Sequence, residues 1–345
     1  MLSLQNLQIG TLQLESPCVQ AALSGYSDWP MRVLARRMGA AYTVAEVMLD
    51  QFVTTLKNRH RTRRYLMVTD ELRPAGAQLM GAIPENFGPA AERLVDEGFD
   101  VIDINFGCPV KKALGRCRGG FHLGQPDVAV EIVRQVCAAV GDQLPVTVKL
   151  RRGVDDSLES RRRFFDILDR VFDCGVDGVT LHPRTVEQRY RGPSNWDFLA
   201  EVKQHVGNRT VIGSGDLVDA VACVKMMEST GVDGVSIARG AIGNPWIFSQ
   251  VQQLLAGKSE PDLPTLAEQK QVLNEHLDLT LTVYSPTDAL RRMRKFGIQY
   301  AALHPQHELV KGGFIACRTL DDWQSVMQEF YADPCADISA SSVSR

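Results

Sequence analysis

Eight short apolar segments recur between residues 18 and 238, and most of them are followed by a stretch with helical periodicity. They are Cys18–Leu23, Tyr42–Val47, Ala77–Met80, Val101–Asn105, Val146–Leu150, Gly178–His182, Thr210–Ser214 and Gly234–Ala238. Between Pro126 and Gly141, the residues Val130, Val133, Val136, Cys137 and Val140 fall on one side at three- and four-residue spacing. Phe164, Phe165, Leu168, Val171 and Phe172 do the same between Leu158 and Gly175. Strands that alternate with helices pair in parallel, and eight such units have the length and rhythm of an α/β fold of the (β/α)8, or TIM, barrel type. Gly175-Val176-Asp177-Gly178-Val179 and Gly231-Val232-Asp233-Gly234-Val235 each end a helix and re-enter a strand, as an αβ loop requires. A doubly wound open sheet is the structural rival. Against it, polar residues gather at the C-terminal ends of nearly every strand, where a closed barrel collects its active site.

Residues 4–15 alternate apolar and polar around Gly10, as a small hairpin does. The composition changes after Phe248. Residues 256–264 are rich in Gly, Pro and charge, and Thr265-x-x-Glu268 then reads as a capping box that opens a helix. A second helix is expected over Thr287–Leu303 with Arg291, Arg292, Arg294 and Lys295 exposed, and a third opens at Thr319-x-x-Asp322. The expected organisation is a barrel over 1–250, a linker over 251–264, a small all-helical domain over 265–335 and a disordered tail over 336–345.

A net charge of -3 argues against a uniformly basic nucleic-acid binder, yet basic clusters occur at Arg59–Arg64, Arg161–Arg163 and Arg291–Lys295. The eight cysteines are scattered with no C-x-x-C pair, so no metal site is expected. The N-terminus lacks the pattern of a secretory signal, and no apolar run approaches the roughly 20 residues that span a bilayer. A soluble chain in the reducing cytoplasm is the consistent reading.

The most specific stretch is Asp103-Ile104-Asn105-Phe106-Gly107-Cys108-Pro109-Val110-Lys111-Lys112. A buried strand breaks at Gly107, and a thiol follows with two lysines close by, where it can ionise or give up a proton more readily than a core cysteine. The other strand ends supply Gln78, Lys149-Leu150-Arg151, His182-Pro183-Arg184-Thr185, Ser214-Gly215-Asp216 and Ala238-Arg239. In barrels of this type the loops after strands 7 and 8 often hold a phosphate. An amide, a lysine and a histidine beside such a loop pair can bond the edge of a planar heterocycle, a composition that suits FMN better than a sugar phosphate.

These motifs, in this order and with a trailing helical segment, resemble the tRNA-dihydrouridine synthases over roughly residues 8–332. The resemblance implies an FMN enzyme that uses NADPH or NADH to reduce the C5–C6 double bond of particular uridines in tRNA. It places Cys108 as the general acid at uracil C5, and Asn105 and Arg151 as holding the uracil. Gln78, Lys149 and His182 would contact the isoalloxazine or its chain, together with Ala22, Leu23 and Ser24 at the end of strand 1. Ser214, Gly215, Asp216, Ala238 and Arg239 would form the phosphate end. Arg291, Arg294 and Lys295 of the helical domain would grip the tRNA, and the enzyme is expected as a monomer.

Some positions depart from the family's pattern. Ala22-Leu23-Ser24 stands where Ala-Pro-Met is usual, Ser214 where Asn is usual and Ala238 where Gly is usual. Arg116, Arg118 and His122 lie in a segment where small residues are common. Two other readings stay open at this level. One is an FMN barrel acting on a free pyrimidine, of the dihydroorotate dehydrogenase type; the other is a paralogue that binds RNA or flavin without turnover.

Overall fold

The computed structural model describes residues 6–332 apart from 58–61 and 63. The first residues of the hairpin, most of the Arg59–Arg64 cluster, Cys335 and the tail over 336–345 lie outside the described residues. Eight parallel strands form the centre: β1 (Cys18–Gln20), β2 (Tyr42–Val44), β3 (Ala75–Met80), β4 (Val101–Phe106), β5 (Val146–Arg151), β6 (Gly178–His182), β7 (Thr210–Gly213) and β8 (Gly234–Ile237). Each pairs with the next, and β8 pairs with β1 through Val235 opposite Cys18, so the sheet closes on itself as a TIM barrel. The expected strand over Tyr42–Val47 is broken in two. After Val44 the chain leaves the ladder, and Met48–Leu49 returns to pair with the far end of β3.

Every residue of β3 and β4 is buried, because the barrel strands face packed side chains inside and helices outside. The outer helices include α1 (Trp29–Arg37), α2 (Phe87–Asp96), α3 (Pro126–Val140), α4 (Leu158–Asp173), α5 (Trp196–Val206), α6 (Ala220–Thr230) and α7 (Ile247–Leu255). Several begin with a side chain that accepts from the first turn: Asp28 for α1, Ser157 for α4, Asn195 for α5 and Asp219 for α6. Such a cap satisfies an N–H group that has no partner within the helix. The hairpin Leu7–Ile9 and Leu12–Leu14 packs Leu7, Ile9 and Leu14 against Val19, Tyr42, Val44, Val101 and Ile212, and so plugs one end of the barrel.

Beyond α7 the described chain is helical, with α8 (Leu266–Val283), α9 (Pro286–Tyr300), α10 (His307–Ala316) and α11 (Leu320–Phe330). Both expected capping boxes are present, at Thr265 with Glu268 and at Thr319 with Asp322. Helix α10 was not expected. It has no side-chain cap and carries Gly312 and Gly313, so neither its boundary nor its propensity marks it in the sequence. The segment expected as a linker from 251 is helical to Leu255 and irregular only beyond it.

The basic run on α9 faces solvent only in part: Arg291 and Lys295 are exposed, while Arg292 and Arg294 are half-buried. Arg292 reaches the barrel and bonds Asp28 Oδ2 at 3.1 Å, Tyr284 Oη donates to the same oxygen at 3.1 Å, and the Arg292 guanidinium lies 4.1 Å from the Tyr284 ring centre. Lys295 Nζ donates to Gly25 O at 2.9 Å, and Arg294 donates to Ile315 O at the end of α10 at 2.7 Å. Arg291 is 72% exposed, with a local contact to Asp288. The Arg161–Arg163 cluster is a solvated face in which Arg161 pairs with Glu201 and Arg163 with Glu159.

The Asp28 side chain is 5% exposed and that of Arg292 20%, so the charge of one needs the other. Replacing Arg292 with Ala should lower stability in urea unfolding by about 2 kcal/mol, below the usual loss for a fully buried pair because Arg292 is partly wet. Adding Asp28→Asn should recover most of that loss.

Candidate active site

Parallel register brings the expected residues to one ring. Gln78 stands opposite Asp103, Asp103 opposite Thr147, Asn105 opposite Lys149 and Arg151 opposite His182. Residues two apart on a strand share a face, so Asp103 and Asn105 point inward together, as do Thr147, Lys149 and Arg151.

A chain of hydrogen bonds crosses this ring from β5 to the cysteine loop. Asp103 accepts from Thr147 Oγ1 at 2.7 Å and from Gln78 Nε2 at 2.6 Å. Gln78 Oε1 accepts from Asn105 Nδ2 at 2.7 Å. Asn105 Oδ1 then accepts from the backbone N–H groups of Gly107 at 2.9 Å and Cys108 at 3.0 Å. The turn after β4 is thereby tied to the barrel, and the half-buried Cys108 stands at its rim. Burial pushes the Asp103 carboxyl up to about 6, against the hydrogen bonds from Thr147 and Gln78 and the charge of Lys149.

Lys149 makes no hydrogen bond with the described residues. Burial first, and then the Arg151 charge, push its ammonium down to about 8, while Asp103 and Cys108 act in the opposite sense. His182 Nε2 lies 3.2 Å from Arg184 Nη1. A guanidinium can only donate, so Nε2 must accept, and the imidazole is neutral with its proton on Nδ1. Burial and the charges of Lys149, Arg151, Arg184 and Arg239 agree with this, since they push His182 down to about 2. His182 is therefore a neutral donor across the working pH range.

Arg151 was expected to hold substrate, yet most of it is engaged by the protein. Its Nε donates to Gly107 O at 2.9 Å, and Nη1 donates to Thr185 O and Arg189 O, both at 2.8 Å. It thus clamps the cysteine turn to the loop after β6. That loop lifts Tyr190 into the open, with Arg151 5.4 Å and Arg239 5.1 Å from its ring centre. On the other side of Cys108, the divergent segment folds back onto β3. His122 Nε2 lies 3.0 Å from Gly81 O, and Gly120 N donates to Cys108 O at 3.1 Å. Gly119, at φ +59°, passes so close that a Cβ there would stand 2.7 Å from the Cys108 Cβ.

At the strand-7 loop, Arg184 Nη2 meets both Asp216 oxygens at 2.7 Å, and Ser194 N donates to Asp216 Oδ2 at 2.8 Å. Asp216 thus secures neighbouring loops. Ser214 Oγ donates to Ser236 O at 3.1 Å. Gly215, at φ +107°, has no room for a Cβ, which would overlap Ser194 Oγ and stand 2.8 Å from His182 Cδ2. The Ser194 hydroxyl is buried without a partner. Ala238 is half-buried and Arg239 exposed, with its guanidinium 3.8 Å from Asp216. Across the mouth, Ala22 and Leu23 are half-buried and Ser24 is exposed.

The barrel thus gathers Gln78, Asn105, Cys108, Lys149, Arg151, His182, Ser214, Gly215, Asp216, Ala238 and Arg239 at one mouth, with Ala22, Leu23 and Ser24 on the loop after β1. Arg294 and Lys295 are bound within the chain. Sequence reasoning gave no role to Asp103, Thr147, Arg184, Tyr190 or Ser194, whose parts depend on contacts between strands. Among the described residues no cluster of His, Cys, Asp or Glu could hold a metal ion. Among the described residues no helix is long and apolar enough to cross a membrane.

Lys149 titrates near 8 when folded and near 10.5 otherwise, so the unfolded chain holds more protons between those values and stability should rise with pH across that window. Lys149→Met should therefore raise the melting temperature of the ligand-free protein below pH 8. The gain should fade as pH approaches 10.5, the two chains being compared by scanning calorimetry at several pH values.

Residues 19–330 match the family model described as dihydrouridine synthase. The chain is 31% identical to a probable tRNA-dihydrouridine synthase of Rickettsia conorii, covering 94% of this chain and 96% of that one. It is 32% identical to tRNA-dihydrouridine synthase B of Shigella flexneri, covering 94% and 99%. Among solved structures, morphinone reductase superposes with a TM-score of 0.53 at 14% identity, over 76% of this chain and 92% of that one. Histamine dehydrogenase from Rhizobium sp. 4-9 does so at 0.58 and 14%, over 81% and 51%. These two share the barrel fold. With its family model spanning almost the whole chain, and near-full-length relatives above 30% identity, the protein belongs to the dihydrouridine synthase family.

Proposed function

We propose that the protein is an FMN-dependent tRNA-dihydrouridine synthase that takes electrons from NADPH or NADH and reduces the C5–C6 double bond of uridines in tRNA. The observation that carries this reading is Cys108, tethered through Asn105 at the rim of a mouth lined by N–H donors. The names of the relatives support the reaction, and a solved complex of morphinone reductase with tetrahydroNAD supports a nicotinamide as reductant.

The residues present fit FMN. Lys149 and the Nδ1–H of His182 offer donors to the acceptor edge of an isoalloxazine, and Lys149 makes no hydrogen bond with the described residues. Gly215, the unpartnered Ser194 hydroxyl and the exposed Arg239 suit a phosphate at the other end. Asp216 takes part by holding Arg184 and Ser194 in place. When bound and reduced, FMN supplies the hydride that C6 of uracil receives.

Cys108 holds a proton on Sγ for C5 of uracil, and solvent returns the proton after turnover. A placed general acid is worth about 10²–10⁴ in rate. Asn105 holds the cysteine turn, and its second Nδ2 proton is left to meet a uracil carbonyl. Tyr190 offers an aromatic face at the mouth where a base turned out of its stack can lie. For the tRNA backbone, Lys111, Lys112 and Arg116 are exposed beside Cys108 and carry no ion pair among the described residues. Arg292, Arg294 and Lys295 are committed to the protein, so the rim carries more of the phosphate contact than the helical segment.

Cys108→Ala should keep the flavin absorption band and form no dihydrouridine when tRNA digests are analysed by mass spectrometry. Dihydrouridine made at the normal rate by that variant would remove Cys108 from the reaction. Charge reversal at Lys112 and Arg116 should weaken tRNA binding about tenfold at physiological salt, as expected when phosphate contacts are lost. Reversal at Arg291 should have a smaller effect in the same gel-shift titration.

A further inference from the structure

Asp103 lies at the inner end of the hydrogen-bond chain and touches neither the mouth nor the cysteine loop. Its two oxygens face Thr147 and Gln78. An ionised carboxylate can only accept. The end at Gly107 and Cys108 is equally one-sided, because backbone N–H groups can only donate. Between these ends stand two amides, each of which could be turned either way. With an acceptor at 103, both ends demand the same arrangement: Gln78 turns Nε2 inward to Asp103, and Asn105 turns Oδ1 to the turn. Both amide oxygens are then engaged by the protein. What remains for a ligand is one N–H on each amide.

We propose that Asp103 is a positioning residue that acts through Gln78 and Asn105 to keep this side of the mouth a surface of hydrogen-bond donors. Lys149 and the Nδ1–H of His182 extend the same polarity. Such a surface fits a ring that presents carbonyl oxygens, as a 2,4-dioxopyrimidine does. It opposes a ring with an amino group at C4, whose N–H would face an N–H of Asn105. On the reading of the mouth as a uridine site, on which this rests, Asp103 thereby favours uracil over cytosine. Without an acceptor at 103, Gln78 has no reason to keep its nitrogen inward, Asn105 loses its fixed partner, and the cysteine turn loosens.

The charge of Asp103 has a separable effect. It faces Lys149 from β4, while Arg151 opposes it from the lysine's own strand, Cys108 lies on the adjacent loop and His182 on β6. Removing that charge should make Lys149 lose its proton at lower pH. Asparagine at 103 keeps the acceptor and removes the charge; alanine removes both.

The test uses flavin-loaded protein with Cys117, the thiol exposed among the described residues, replaced by serine. Asp103→Ala should lower kcat for dihydrouridine formation on the order of 100-fold, as for loss of an oriented donor, with KM for tRNA changed less than about threefold. Asp103→Asn should stay within about fivefold of wild type on the pH plateau, with its alkaline limb displaced to lower pH. A readout that needs no turnover is the alkylation of Cys108 by iodoacetamide, followed by peptide mass spectrometry. It should be about tenfold faster in Asp103→Ala and unchanged in Asp103→Asn, as expected when one buried hydrogen-bonded tether is released. Wild-type kcat and alkylation in Asp103→Ala would overturn the proposal, as would an Asp103→Asn protein impaired as deeply as Asp103→Ala. If Asp103→Ala does not fold, the Asp103→Asn result still decides. A wild-type enzyme that makes no dihydrouridine would refute the uridine reading alone, and the alkylation comparison would still judge Asp103.

Discussion

The pairing of β8 with β1 is the constraint on which the rest depends. Once Val235 lies beside Cys18, the inward face of every strand ends at the same mouth. Polar side chains that are far apart along the chain then become neighbours at hydrogen-bond distance. Thr147 and Asp103 are 44 residues apart, yet they meet at 2.7 Å. An open sheet would leave its first and last strands on opposite edges, and Leu23 and Arg239 would not share a site.

Closure also concentrates positive charge. Burial keeps the His182 imidazole neutral, and Lys149, Arg151, Arg184 and Arg239 all act in the same sense. Much of this charge has a protein partner: Arg184 has Asp216, and Arg151 has three backbone carbonyls. Lys149 stands apart because it has no hydrogen-bond partner among the described residues. Desolvation and the Arg151 charge lower the Lys149 ammonium's hold on its proton, with the half-buried side chain left for the mouth.

The helical segment is joined to the mouth rather than appended to the barrel. Asp28 caps α1 and accepts from Tyr284 and Arg292, while Lys295 holds Gly25 a few residues away. Asp28 and Gly25 lie on or just after the loop that carries Ala22, Leu23 and Ser24. The position of α9 and the shape of one wall of the mouth are therefore coupled through a small set of buried charges and rings.

The amino-acid sequence by itself determined the eight strands, the hairpin, two capping boxes and the motif around Cys108. Each of these is written in local period, turn chemistry or residue spacing, which act over a few residues. It also placed most site residues at strand ends, because a barrel of known rhythm leaves few other places for them. The tertiary structure decided which polar groups remain available. Arg151, Arg294 and Lys295 read as free cations in sequence, yet each is bound to a carbonyl from a distant segment. His122 looked like a departure near the cysteine and is instead a tether to Gly81. A side chain's partner is set by what folding brings beside it, and a one-dimensional pattern carries no record of that distance.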